Sequence, residues 1–102
     1  MPSTNHQRIA VEHPGIFLKE DFLEPLSISE YRLAKDIDVS PRRINEIIKG
    51  KRSITPDTAL RLEKYFSYKA RLWLGLQAAY DLDQQKNNIA EVLRSIHTHK
   101  AA

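Results

Sequence analysis

The chain has 102 residues, 41% hydrophobic and 28% charged, with a formal net charge of +3, so it has room for one modest core in the composition of an ordered globular protein. It holds no cysteine, which excludes disulfides and thiolate metal sites. Its longest apolar runs are too short to span a bilayer, and its start, MPSTNHQRIAVEH, lacks the apolar stretch of a signal peptide, so the expected location is the cytoplasm, with no membrane contact.

No repeat, low-complexity segment or useful strand-like alternation is present, and the chain reads as all-α. Residues 1–12 form a flexible polar arm. His13-Pro14-Gly15 opens a first helix, with proline tolerated in the first turn, which carries Phe17, Leu18, Phe22 and Leu23 to a stop at Pro25. Ser29 is the N-cap of a second helix, SEYRLAKDI, with Leu33, Ala34 and Ile37 on one face. After Asp38-Val39, Ser40 caps a third helix with Pro41 at its first position and Gly50 at its end. Thr55-Pro56-Asp57 starts a fourth helix through Tyr65-Phe66, with Ala59, Leu60 and Leu62 available for the core. A fifth helix runs from about Lys69 to Leu82 and carries Leu72, Trp73, Leu76, Ala79 and Tyr80. In the tail, residues 83–102, Ile89, Val92, Leu93 and Ile96 recur as an amphipathic stripe. Two covers for it are open, the chain's own core or another molecule.

Charge is segregated. From Glu12 to Glu30 five acids face one lysine, a local charge of −4, and from Ser40 to Ile54 five bases face one acid, a local charge of +4. Segregation of this kind assigns one surface to a polyanion and others to something else, although a solvated face can carry the same charge. The third helix decides between them. Wound at 100° per residue, it gathers Ile44, Ile47 and Ile48 on the side that packs against Leu33, Ala34 and Ile37. Arg42, Asn45, Glu46 and Lys49 spread over the other side, with Arg43 on the flank.

Arginine matches the two acceptors of guanine, and asparagine the acceptor and donor of adenine. Ser40 and the first backbone N–H groups are suited to a phosphate oxygen. Lys51 and Arg52, just past Gly50, reach the backbone beside the groove. Two short helices joined by a tight turn, the second outward-facing and basic, make a helix-turn-helix. Ala34 between them allows close crossing.

The run SEYRLAKDIDVSPRRINEIIKGKRSITPDTALRLEKYF resembles the DNA-binding core of the Cro/C1 (Xre-type) helix-turn-helix proteins. The wider run, from HPGIFLKEDF to WLGLQAAYDL, resembles their HigA subgroup, antitoxins of type II toxin–antitoxin modules, also called virulence-associated protein I. The resemblance covers residues 13–82, about two-thirds of the chain. It implies a five-helix, lambda repressor-like DNA-binding domain over those residues, with an additional C-terminal amphipathic helix or tail. It also implies a homodimer that binds a palindromic double-stranded operator, represses its own operon and neutralises a HigB/RelE-like ribonuclease toxin. Carried over by position, Ser40, Pro41, Arg42, Arg43, Asn45, Glu46 and Lys49 occupy the recognition helix. Many relatives have glycine between the two helices where this chain has Asp38; aspartate also adopts a left-handed conformation, though less readily.

No catalytic triad, phosphate loop or metal-ligand spacing can be assembled: His97 and His99 fall on opposite sides of a helix, and Gly50-Lys51-Arg52-Ser53 lacks the upstream glycine and strand. A non-enzyme without cofactor or metal is expected. Tyr31 and Tyr65 belong to the rim or core, with a phosphate contact open to Tyr31, and Trp73 to the core or a dimer interface. Two alternatives stand beside the antitoxin: a free-standing phage-like repressor without a toxin, and a protein-sequestering module, which the −4 stretch favours.

Overall fold

The computed structural model describes residues 10–100, and all regular structure among them is helical. The arm expected over residues 1–12 therefore lies mostly outside the described residues; positions 10–12 run without regular structure into His13. Helix α1 covers residues 14–26 in three stretches, α-helical Pro14–Phe17, a π-helical Leu18–Leu23, and α-helical Glu24–Leu26. Then follow α2 (Glu30–Asp36), α3 (Pro41–Ile48), α4 (Pro56–Phe66), α5 (Ala70–Asn88) and α6 (Ala90–Ser95).

The helix starts are local chemistry. Ser29 accepts from the Arg32 N–H at 3.0 Å, Ser40 from Arg43 at 3.1 Å and Thr55 from Thr58 at 3.4 Å, each occupying an N–H that has no partner within the helix. Pro14, Pro41 and Pro56 stand in first turns, where a missing N–H costs nothing. His13 caps α1 by an imidazole, its Nδ1 accepting from Gly15 N at 2.9 Å.

Pro25 does not stop α1, contrary to the sequence expectation: the helix continues to Leu26 and ends on left-handed Ser27. The cause lies one turn earlier. Leu18 and Leu23 are both buried, and the Phe17 and Phe22 rings pack 5.2 Å apart. On an α-helix residues five apart point about 140° away from each other, whereas i→i+5 bonding brings them onto one face. The two Phe-Leu pairs thus impose the wider stretch, which closes with Glu24 N–H donating to Lys19 O. Pro25 follows directly, where the change of hydrogen-bonding pattern disrupts the ladder in any case.

The core unites Leu18 and Leu23 of α1, Leu33 and Ala34 of α2, Ile44 and Ile47 of α3, Ala59 and Leu62 of α4, and Trp73 of α5. Trp73 is a core residue, ringed by Phe17, Phe22 and Tyr68. Leu60, expected in the core, is 60% exposed on the outer side of α4. Helix α5 does not end at Leu82 but runs to Asn88, because the polar residues after Asp83 stay solvated on a continuing helix. The stripe of the tail is realised as α6, and its Val92, Leu93 and Ile96 are exposed, with no cover among the described residues of the protomer.

Candidate nucleic-acid interface

Helices α2 and α3 cross with Ala34 buried between them, and Ile44 and Ile47 are wholly buried. The turn between them holds Asp38 at φ 59°, the left-handed conformation expected there. Val39 N–H donates to Ala34 O at 3.0 Å, closing the turn. Arg61 of α4 secures it from outside, donating to the carbonyls of Ile37 at 2.8 Å and Asp38 at 3.0 Å while paired with Asp57 one turn earlier. The Asp57/Arg61 spacing of four is visible in the sequence, but its object, a turn 23 residues away, is not.

The outward face of α3 holds most of the expected groups. Ser40 and Pro41 are exposed at its N-terminus. The Ser40 hydroxyl spends its acceptor capacity on the cap and keeps a proton to donate. The Arg42 side chain is 83% exposed, and its Nε donates to Glu46 Oε2 at 2.8 Å. Arg52 reaches back from beyond Gly50 to the other oxygen of that carboxylate, Nε to Oε1 at 2.9 Å and a terminal guanidinium nitrogen at 2.7 Å. The hydrogen bonds from Arg42 and then Arg52 hold the Glu46 carboxyl below the usual carboxylate range. Lys49 and Lys51 are exposed around the left-handed Gly50 (φ 74°).

Two expected groups are engaged elsewhere. Asn45 Nδ2 donates to Glu30 Oε1 at 3.1 Å, fastening α3 to the first turn of α2. Arg43 leans toward the start of α4, 3.4 Å from Thr58 Oγ1 and 3.6 Å from Asp57 Oδ1. Tyr31 is exposed on α2, whereas Tyr65 donates to Asp36 at 2.5 Å.

Sequence reasoning missed what holds α3 from behind. A Cβ on Gly15 would lie 1.9 Å from the Ile47 carbonyl oxygen, so α1 meets the end of α3 backbone to backbone. Beside it, buried His13 lies edge-on to Tyr80 at 5.0 Å, with Gly50 next to its ring. The signal was the HPG opening, whose purpose shows only in three dimensions. Burial pushes the His13 imidazole below its usual value, outweighing a hydrogen bond to the Arg52 backbone and the attraction of Asp81.

The unfolded chain therefore binds this proton more readily than the folded one. The stability is fully present above about pH 6.5 and is lost as pH falls through that value. Protonation also removes the Nδ1 acceptor that caps α1. Thermal melting at pH 7.5 and 5.5 is expected to show a fall in Tm that shrinks in His13→Asn, whose amide oxygen can cap without titrating. An equal fall in both proteins would remove His13 as its source.

Among the described residues, no helix is long and apolar enough to cross a membrane. Residues 20–77 match the helix-turn-helix family. Virulence-associated protein I of Dichelobacter nodosus is 47% identical over 92 residues, covering 87% of this chain and 84% of that one. The antitoxin HigA of Pseudomonas aeruginosa, solved with the higBA promoter, superposes with a TM-score of 0.85 at 32% identity over 88% of this chain and 99% of its own. A second P. aeruginosa protein, solved in complex with its operator DNA, gives a TM-score of 0.86 at 32% identity over 92% of this chain and 100% of its own. The chain belongs to the Cro/C1 (Xre-type) helix-turn-helix family, in its HigA-type antitoxin branch.

Proposed function

We propose that this protein is a homodimeric, non-enzymatic antitoxin of the cytoplasm that represses its own operon and neutralises a HigB-like toxin. The observation that carries the DNA half is the exposed face of α3. Its isoleucines are spent on the core, leaving Ser40, Arg42, Glu46 and Lys49 outward, with Arg43 on one flank and Lys51 and Arg52 on the other. Arg42 is the principal reader of a base edge, and Ser40, Lys49 and Lys51 make phosphate contacts. The relatives solved with a promoter or an operator support this reading. A dimer would place two copies of α3 in successive major grooves, about 34 Å apart, on an inverted repeat. The toxin half rests on the family and on the exposed acids Glu20, Asp21 and Glu24 of α1, which suit a basic partner.

Fluorescence anisotropy against the DNA upstream of the protein's own coding sequence, with a scrambled duplex as control, tests it. With three or four phosphates neutralised per protomer, log affinity is expected to fall against log salt with a slope of roughly −6. The native duplex should be preferred. Equal, weak binding to both duplexes would reduce α3 to a source of charge, and sequestration of a partner protein would become the function.

A further inference from the structure

A carboxylate on a surface that faces phosphates weakens binding to any DNA, so the position of Glu46 calls for an explanation. Its side chain is only 23% exposed, held flat against α3 between Arg42 and Arg52. It can only accept hydrogen bonds. The major groove offers two base donors, the amino groups of adenine and cytosine. Adenine carries N7 next to its amino group, where it would repel the second carboxylate oxygen, whereas cytosine carries a C5–H there. Cytosine is thus the base that a carboxylate accepts.

Its partner guanine presents N7 and O6 on the same edge. Arg42 bonds Glu46 through Nε alone, which leaves both terminal guanidinium nitrogens for those two acceptors. We propose that Arg42 and Glu46 together read one C·G pair in each half-site, and that Arg52 guards the reading. This deepens the DNA-binding role proposed above and rests on it. In the free protein Arg52 occupies Oε1, the oxygen the cytosine amino group needs. On the correct sequence Arg52 turns to a backbone phosphate and Oε1 accepts from cytosine. On any other sequence Arg52 stays with Glu46, and one cation per protomer is withheld from the phosphates. Glu46 is a specificity-determining residue that lowers affinity for unrelated DNA.

The test is anisotropy with the upstream operator, a scrambled duplex, and operators in which each C·G pair is replaced symmetrically in both half-sites. Wild type is expected to lose at least about tenfold at one such pair. Glu46→Ala should lose that penalty alone and bind the scrambled duplex as tightly as wild type or more so. Its salt slope should steepen by about 0.9 per protomer as Arg52 is freed. Glu46→Gln, of equal shape, should shift the preference at that pair toward adenine, which an amide matches. It also decides the matter if the alanine variant fails to show a native helical spectrum. Retention of the wild-type penalties by both variants would overturn the proposal, and so would equal weakening on operator and scrambled DNA. Wild type without preference for its operator would overturn the repressor reading itself, so failures of the two are told apart.

Discussion

Replacing Arg42 and Arg43 together with alanine is expected to abolish operator preference while leaving the helical spectrum and any toxin binding intact. Arg42 is the most prominent cation on α3, free at its guanidinium tip. A well-placed arginine contributes about 1–3 kcal/mol of discrimination at a base edge, and a dimer loses each contact twice. Even at the lower bound, four lost contacts amount to about 4 kcal/mol, close to a thousandfold. Two fewer cations per protomer should also flatten the salt slope by about 3.6 for the dimer if both meet phosphate in non-specific binding. The fold should tolerate the change, because the pair Arg43 makes with half-exposed Asp57 contributes under about 1 kcal/mol. The single variants separate the roles: Arg42→Ala should lose most of the preference, whereas Arg43→Ala should lose less, since Arg43 leans on α4. Sequence-preferring binding by the double variant would refute the assignment of α3 as the reading helix.

The second large effect is expected on stability. Gly15→Ala places a methyl carbon 1.9 Å from one backbone oxygen and 2.7 Å from the carbonyl carbon of Ile47. No flexible side chain is there to yield, so α1 and α3 must separate, loosening the packing of Leu18 on Ile44 and Ile47. Overpacking of this severity costs about 3 kcal/mol or more, which lowers Tm by roughly 12 °C or more in a domain of this size. Gly75→Ala is the control. It lies in α5 with no atom within 4 Å of the added carbon, and removing a mid-helix glycine should stabilise by about 0.5–1 kcal/mol. Equal melting of Gly15→Ala and wild type would show that the two helices can part freely.

The helix starts are legible in the sequence because each is settled within four residues. Ser29, Ser40 and Thr55 bond N–H groups three positions on, and the three prolines in first turns mark the same places. The recognition helix is legible for a related reason: the spacing of Ile44 and Ile47 says which side must be buried. What stays hidden is anything settled between elements. Asn45 looks free to meet adenine until Glu30, fifteen residues earlier, accepts from it. Leu60 has the right spacing for a core position, yet its side of α4 faces away from the other helices. Pro25 reads as a stop because a regular α-helix is the default, and the five-residue spacing of the Phe-Leu pairs overrides it. The end of α5 is invisible because a solvated helix needs no apolar period to continue.

The backbone contact between Gly15 and Ile47, with His13 set beside Gly50 and Tyr80, leaves no hinge between the first helix and the reading head. The two turn as one rigid body. A partner molecule seated on α1 therefore has no soft joint through which to tilt α3 within a protomer. It can silence or enhance DNA binding in two other ways: by standing in the path of the duplex, or by resetting the distance between two reading heads of a pair. Control of this protein is then a matter of obstruction and spacing rather than of bending.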